Sequence, residues 1–474
     1  MRNLEFPPSG TSHESFFGER LREFFYYPKL NKETDSASAT PTLLNFLSTS
    51  DRRDGFSLYT HIPFCNYLCH FCPFFKVLNS MISRDVRSRF FTAIENEIAK
   101  YGEAPYFSMR ELEWIEFGGG TPTSMSLGEA KGIFTAIRNS FNLRRGAVIT
   151  MEGDALTLSE EGKVEGLLDL GVNRFSFGVQ TFDEPLRRKL GIKPTVQDLR
   201  KAANTLHAHG VEEFAIDLLY NLPDQTSESF QRDIDLALEL EPAYIDFYPL
   251  TLWENTRFKD KVDSLRGFSQ KPTTQANLEL FEIARSRMLK LGWKAVRSYT
   301  FATPNPHPFI DVSQARLRAQ GESIGIGPSS RGFIGGRHLI NESSIDGYIQ
   351  EIEAGRFPID LGCECSEEEQ VRRLMVLFPS MLLWVDTATI PNYSVLFEQQ
   401  VNSLIKNGFI EQTGTIIKLT TAGQAWAGNV SREFFSADQK RAMTTSYLYA
   451  RREGLNPYNQ DHVGVSSRRK FKLP

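Results

Sequence analysis

Between residues 56 and 300 the chain alternates two kinds of segment, and that alternation restricts its fold more than any other feature. Seven short stretches read as strands: "GFSLYTHI", "ELEWIEFGGG", "GAVITMEGD", "NRFSFGVQT", "EEFAIDLLY", "AYIDFYPLT" and "KAVRSYTF". Each is rich in β-branched or aromatic residues and bounded by turn formers. Helical patterns lie between them, among them "RDVRSRFFTAIENEIAKYG", "LGEAKGIFTAIRNSF", "SEEGKVEGLLDLG", "TVQDLRKAANTLHAHG" and "SESFQRDIDLALEL". Repeated strand–helix order means parallel strands joined by crossover helices. The count favours a full or partial (β/α) barrel over an open sheet. In such barrels the chemistry sits on loops at the C-terminal ends of the strands.

The flanks read differently. Residues 1–54 are an N-terminal extension, polar and rich in Ser, Thr and Pro, with one amphipathic helix around "ESFFGERLREFFYY". Residues 55–300 are the barrel. Residues 301–360 open on "ATPNPHPF" and run through "GESIGIGPSSRGFIGG", a glycine-rich connecting segment expected to loop back to the barrel mouth. Residues 361–474 read as helices, a small hairpin and another helix, a mostly helical winged-helix-like domain ending in the basic tail "VGVSSRRKFKLP".

The chain carries 54 Lys and Arg against 58 Asp and Glu, a formal charge of −4, so no electrostatic case exists for a nucleic-acid partner. No run approaches the roughly 18 apolar residues of a membrane span. The N-terminus lacks the apolar core of a secretory signal, and a cytoplasmic protein is expected. Five cysteines in so long a chain are not a disulfide framework, and three of them are clustered. In a reducing compartment such a cluster reads as metal or catalytic chemistry.

Those three, Cys65, Cys69 and Cys72, lie in "HIPFCNYLCHFC" directly after the first strand. Thiolates favour zinc or iron–sulfur clusters. A structural zinc needs four ligands, and His61 or His70 could complete a Cys3His set. A [4Fe–4S] cube usually takes four cysteines. Three would hold three corners and leave the fourth iron open to a chelating small molecule. Cys363 and Cys365, in "DLGCECSEE", read as surface thiols.

The C-x3-C-x2-C spacing after a first barrel strand is the signature of radical S-adenosylmethionine (SAM) enzymes. "YTHIPFCNYLCHFC", "EFGGGTPT", "GVNRFSFGVQTFDEPLRRKLG" and "DLLYNLPDQT", in this order, resemble the branch containing oxygen-independent coproporphyrinogen oxidase. "GFIEQTGTIIKLTTAGQAW" resembles that branch's C-terminal domain. The resemblance implies a partial (β/α)6 radical SAM barrel and a [4Fe–4S] cluster on Cys65, Cys69 and Cys72. It implies SAM chelating the open iron. An electron from a donor such as flavodoxin or ferredoxin would then cleave SAM to methionine and a 5′-deoxyadenosyl radical. Carbonyls around Gly119, Gly120 and Thr121 would accept from the SAM ammonium. Glu152, Gln180 and Asp217 would hold ribose hydroxyls or surround the sulfonium. Tyr59, which shares a strand face with His61, would pack on SAM, and Phe71 would shape the adenine pocket.

Three departures stand out. Phe74 replaces a cysteine of the porphyrinogen oxidase. Ile192 and Lys193 follow "LG" where family members often carry Arg, and "EGDAL" replaces "E-x-N-P" after the third strand. They point away from coproporphyrinogen decarboxylation and towards two offshoots, the class C methyltransferases with their cyclopropanating relatives and the haem-opening enzymes that make anaerobilin. The class C resemblance implies two SAM molecules, the second giving its methyl carbon to an sp2 carbon of a small-molecule or peptide substrate. Tyr248, Trp253, Tyr299 and Arg331 are the candidate catalytic and second-SAM residues. A radical SAM C-methyltransferase is therefore expected. The alternatives are a haem-opening enzyme, with His307 or His338 as axial ligand, or a coproporphyrinogen oxidase-like protein or haem chaperone of the same fold.

Overall fold

A computed structural model describes residues 16–17, 20–21, 27, 32–33, 36–49, 53–211, 213–252, 257–304 and 321–441. Trp253, His307, the basic tail and most of residues 1–54 lie outside the described residues. Six strands lie side by side in chain order: β1 Phe56–Ile62, β2 Glu111–Gly119, β3 Asn142–Gly153, β4 Arg174–Gln180, β5 Phe214–Tyr220 and β6 Tyr244–Pro249. All neighbouring pairs are parallel. β7, Thr300–Ala302, runs antiparallel to β6.

The other edge is built from far downstream. β8, Glu322–Ile326, pairs in parallel with β1, Gly325 lying opposite Tyr59. β9 Arg331–Ile334, β10 Arg337–Asn341 and β11 Ile359–Glu364 continue the sheet as antiparallel neighbours. The sheet is thus mixed, with thirteen strands among the described residues. The glycine-rich segment expected as a loop over the mouth largely forms these strands. Its strands are short and interrupted by glycine, so turn signals mask them. One piece does reach the mouth. Gly327 has φ +90°, and a Cβ there would lie 2.6 Å from the carbonyl oxygen of His61.

The turn at Gly327 is bolted from beneath by the buried Glu97. Its carboxylate accepts from Gly327 N (2.9 Å), Asn341 Nδ2 (2.7 Å) and the Tyr348 hydroxyl (2.6 Å). Glu97 belongs to the helix Arg84–Gly102, which Ser83 caps by accepting from Val86 N. That helix buries Phe90, Phe91, Ile94 and Ile98 against the sheet.

Crossover helices cover one face of the sheet, and polar side chains line the other. β4 shows the two-residue period clearly: Phe175, Phe177 and Val179 enter the core, while Ser176, Gly178 and Gln180 are half-exposed on the opposite face.

A second core gathers Met375, Phe378, Val401, Phe409, Ile417, Trp426 and Phe434. It packs the helices Glu367–Met381 and Glu398–Lys406 on a small sheet of Trp384–Asp386, Ile410–Thr413 and Ile416–Leu419. This unit grips the turn before β7. Ser298 N donates to Ser380 O at 3.1 Å, and Gln424 Nε2 donates to Ser298 O at 3.3 Å. Among the described residues no helix is long and apolar enough to cross a membrane.

Candidate active site

The cysteines sit on one loop held at both ends and in the middle. Cys65 closes the strand Phe64–Cys65, which pairs with Val77–Leu78 on the return of the loop. Gly120 N donates to Ile62 O and Thr121 N to Phe64 O, both at 2.8 Å, so the end of β2 clamps the loop's start. Lys76 Nζ donates to Cys72 O at 2.6 Å. Halfway along, His70 N donates to Leu190 O at 2.9 Å, and His70 Nδ1 lies 3.1 Å from Lys189 O. The "LG" of residues 190–191 therefore anchors the cysteine loop. Gly191 ends its helix with φ +74°, and a Cβ there would lie 2.9 Å from the His70 ring.

Of the two histidines that could complete a zinc tetrahedron, only His61 has both ring nitrogens engaged. His61 Nε2 is 2.9 Å from Phe75 O and Nδ1 is 3.2 Å from the Tyr59 hydroxyl. His70 is held by the carbonyl of Lys189. Among the described residues no three His, Cys, Asp or Glu side chains converge on one ion. Three soft thiols spread along a loop fit an iron–sulfur cluster better than a single zinc ion. Burial pushes the Cys65 thiol up to about 11, a hydrogen bond from Thr121 opposing it and Cys72 adding to it. Burial also raises Cys69 strongly, with Cys72 and Cys65 adding. Without metal charge beside them these groups stay thiols.

The glycines after β2 allow close approach, though chiefly to the chain's own side chains. A Cβ on Gly118 would lie 3.0 Å from the Tyr59 ring and 3.1 Å from Glu152 Oε2. One on Gly119 would lie 2.8 Å from the His61 ring, and one on Gly120 2.6 Å from the Pro63 carbonyl carbon. The Thr121 hydroxyl donates to Cys65 Sγ at 3.6 Å. The residues expected to cradle SAM thus also pack the cysteine loop against β1 and β2.

The barrel interior beside this loop is acidic. Burial pushes Glu152 up to about 8; Glu116 adds to the rise, and a hydrogen bond from Gly119 N opposes it. Asp217, on β5, stands directly opposite Asp246 on β6. Burial and then Asp246 and Glu152 raise Asp217 well above the carboxylate range. Burial raises Asp246 too, while the Thr300 hydroxyl donates to it and opposes the shift. With Asp246 beside it, the buried Asp217 resists losing its proton. Gln180 ends β4 with φ +69°, its amide folded over Gly178.

Phe71 and Tyr248, both anticipated, meet at one apolar cluster with Cys69, against Leu186, Leu190, Ile192, Leu219 and Phe258. Ile192 is buried there, so it supplies packing where an arginine would have supplied charge. The Tyr248 and Tyr299 ring centroids lie 4.9 Å apart with the planes tilted by 32°, and Arg297 Nη1 donates to the Tyr299 hydroxyl at 3.3 Å. Arg331 lies on β9, at the other end of the strand order.

Four residues were not anticipated. Asp246 and Arg297 are charges in a strand and a turn, which read as solvent-facing without a partner strand to show otherwise. Arg187, in the quoted "DEPLRRKLG", is buried and donates to Val179 O, Thr181 O and Pro194 O at 2.5–3.1 Å, shaping the turn after β4. Asp154 accepts from Leu156 N and Thr157 N through Oδ1, while its buried Oδ2 has no protein partner. That carboxylate acts electrostatically on Cys65 and Cys69, a place for a donor that the protein does not supply.

Residues 59–237 match the Radical SAM superfamily. The chain is 28% identical over 388 residues to the heme chaperone HemW of Lactococcus lactis, covering 81% of this chain and 98% of that protein. It is 30% identical over 280 residues to HemW of Escherichia coli K12, covering 59% of this chain and 70% of that protein. The solved structure of Escherichia coli coproporphyrinogen III oxidase, HemN, described as a radical SAM enzyme, superposes with a TM-score of 0.73. It covers 84% of this chain and 94% of that one at 22% identity, a likeness of fold.

Proposed function

We infer that this chain, which belongs to the radical SAM superfamily and to its coproporphyrinogen-oxidase-like branch, is a radical SAM enzyme that works on a tetrapyrrole. One observation supports it most: three thiols share a single loop beside a barrel mouth lined with carboxyls, with both ring nitrogens of the nearby His61 engaged by Tyr59 and Phe75. Cys65, Cys69 and Cys72 would hold the [4Fe–4S] cluster. When bound and reduced, that cluster supplies the electron that splits SAM into methionine and a 5′-deoxyadenosyl radical.

The chain's own residues bind and orient. Glu152, about 8, is protonated at neutral pH and donates a hydrogen bond as readily as it accepts one. Asp217 and Asp246 offer a second such group on the adjoining strands. Tyr248 and Tyr299 form an aromatic wall against which a planar ring can lie, with Arg297 at its edge to meet a carboxylate side chain. The named relatives act on or carry tetrapyrroles, which bear carboxylates on flat pyrrole rings, joined into one planar macrocycle in haem. Anaerobic reconstitution followed by SAM and either coproporphyrinogen III or haem tests the reading. Tetrapyrrole-dependent 5′-deoxyadenosine supports it. Haem binding without nucleoside would make the protein a carrier, and no response to either compound overturns the reading.

A second reading, methylation of an unreactive sp2 carbon of a small-molecule or peptide substrate with two SAM molecules, is favoured by the carboxyls gathered inside the barrel. Burial keeps Glu152 and Asp217 protonated, and a sulfonium cation bound beside them would favour their ionised forms. SAM labelled as CD3 separates the two, because deuterium in 5′-deoxyadenosine marks a methyl donor.

A further inference from the structure

Asp154 is a buried acid that the proposed function leaves unused. It follows β3 directly and is only 7% exposed. One carboxylate oxygen, Oδ1, accepts from Leu156 N at 2.8 Å and Thr157 N at 3.0 Å. Those bonds cap the short helix Ala155–Leu158. The other oxygen, Oδ2, is buried and meets no hydrogen-bond donor among the described residues. Keeping a carboxylate oxygen buried and unbonded is costly.

The surroundings of Asp154 lead to the cysteine loop. Its backbone N donates to the Thr157 hydroxyl at 3.3 Å, and that hydroxyl lies 2.6 Å from Thr123 Oγ1. A Cβ on the neighbouring Gly153 would lie 2.7 Å from the same Thr123 oxygen. Two residues earlier, the Thr121 hydroxyl donates to Cys65 Sγ at 3.6 Å, and one residue later Ser124 Oγ donates to Phe64 O at 3.2 Å. The turn 121–124 thus holds both the cap at Asp154 and the start of the cysteine loop. Electrostatics agree with that placement. Asp154 pushes up Cys65 and Cys69, and after burial it is the largest influence on Tyr67, which lies between them. Lys76 acts on the two thiols in the opposite sense, but its Nζ is held by the carbonyls of Cys72 and Phe74 at 2.6 and 3.3 Å. Burial raises Asp154 itself, and the bonds from Thr157 and Leu156 oppose that rise by favouring the charged form.

We propose that Asp154 sets the midpoint potential of the [4Fe–4S] cluster on Cys65, Cys69 and Cys72, its unbonded Oδ2 keeping a negative charge beside the loop that carries the thiolates. This rests on the assignment of the cluster to those cysteines. Reduction adds one electron to the cluster and moves no atom, and dithionite supplies that electron in the test. A fixed negative charge disfavours the more negative, reduced state, so it lowers the potential. Burial lets the charge act more strongly than it would through water. A lower potential makes the reduced cluster a stronger reductant, as one-electron cleavage of a sulfonium demands. Thr121 acts in the opposite direction through its bond to Cys65 Sγ. The two side chains, on neighbouring strand ends, set the value between them.

The test uses the full-length reconstituted protein and the variants Asp154→Asn, Asp154→Ser and Asp154→Glu. Asparagine and serine keep an oxygen that caps the helix and remove the charge. Glutamate keeps the charge and alters the shape. Dithionite titration under electron paramagnetic resonance reads the potential, and iron analysis reads cluster content. We expect Asp154→Asn and Asp154→Ser to load iron as the wild type does. Each should shift the reduction equilibrium about tenfold towards the reduced cluster, about 59 mV upwards for one electron. Asp154→Glu should shift it less than either. Unchanged potentials in the two uncharged variants overturn the proposal, as does a downward shift. So does a shift in Asp154→Glu as large as in Asp154→Asn, which marks a role in shape and not in charge. If Asp154→Asn loses iron, Asp154→Ser decides. Loss of iron from both makes Asp154 a support of the loop and overturns the proposal too. A wild type that takes up no iron sinks the cluster assignment instead and is visible before any titration.

Discussion

The Tyr59 hydroxyl donates to Nδ1 of His61 across 3.2 Å, while Nε2 of the same ring donates to Phe75 O at 2.9 Å. A carbonyl can only accept, so the proton of the neutral ring is on Nε2 and Nδ1 is left to receive the tyrosine. The span from His61 to Phe75 encloses all three cysteines. The pair is a clasp across the cysteine loop, built on β1.

Removing the clasp should loosen the loop before it harms the fold. His61→Ala deletes two hydrogen bonds of about 1 kcal/mol each. After reconstitution and desalting it should retain less than about half the wild-type iron, while far-ultraviolet circular dichroism is unchanged. Tyr59→Phe, which deletes one bond, should fall between. Wild-type iron content in His61→Ala would show that the clasp does not hold the loop.

Thr121 donates to Cys65 Sγ, and a donor on a cluster thiolate stabilises the more negative, reduced state. Thr121→Val should therefore lower the midpoint potential of the bound cluster, read by redox titration under electron paramagnetic resonance, and Thr121→Ser should restore it. A valine variant with unchanged potential would count against the bond.

Glu97 ties stability to pH. Burial raises it from 4.5 to about 7, although hydrogen bonds from Tyr348, Gly327 and Asn341 oppose the shift. Folding then tightens its hold on the proton. Its contribution is complete below about 4.5 and is lost as pH rises through about 7, at up to ~1.4 kcal/mol per pH unit. Stability read from denaturation midpoints between pH 5 and 7 should fall less steeply in Glu97→Gln than in the wild type, the slope that remains coming from Glu152 and Asp217.

The C-terminal unit should affect turnover more than cofactor binding. Gln424 and Ser380 hold the backbone of Ser298, next to Arg297 and Tyr299. Gln424→Leu removes about 1–2 kcal/mol of bonding far from the cysteines. The Michaelis constant for the tetrapyrrole should rise several-fold, with SAM affinity kept within about twofold. Equal losses in both would mean a general loss of stability.

Much of the centre was legible in the sequence. The β1–β6 segments stand out as short aromatic or β-branched runs between turn residues, and the cysteine spacing survives any fold. Packing roles were not legible. Gly191 and Leu190 could be seen as part of a motif, but their hold on His70 depends on contact between residues 120 apart in the chain. β8 to β11 were hidden by glycines that serve as hairpin turns, as at Gly335 and Gly336, both with positive φ. Asp246 gave no signal in the sequence because Thr300 meets it only once β7 folds back on β6.

The strand that bears the cysteine loop receives one of its two neighbours very late. Ser57 Oγ donates to Glu322 O, 265 residues further along. While the ribosome is still short of residue 322, β1 is an open edge, liable to pair with other strands. The Gly327 turn under His61 is also missing at that stage. Iron loading thus belongs after β8 and the Gly327 turn have been made, and any truncation before β8 should yield a protein that aggregates and does not turn brown.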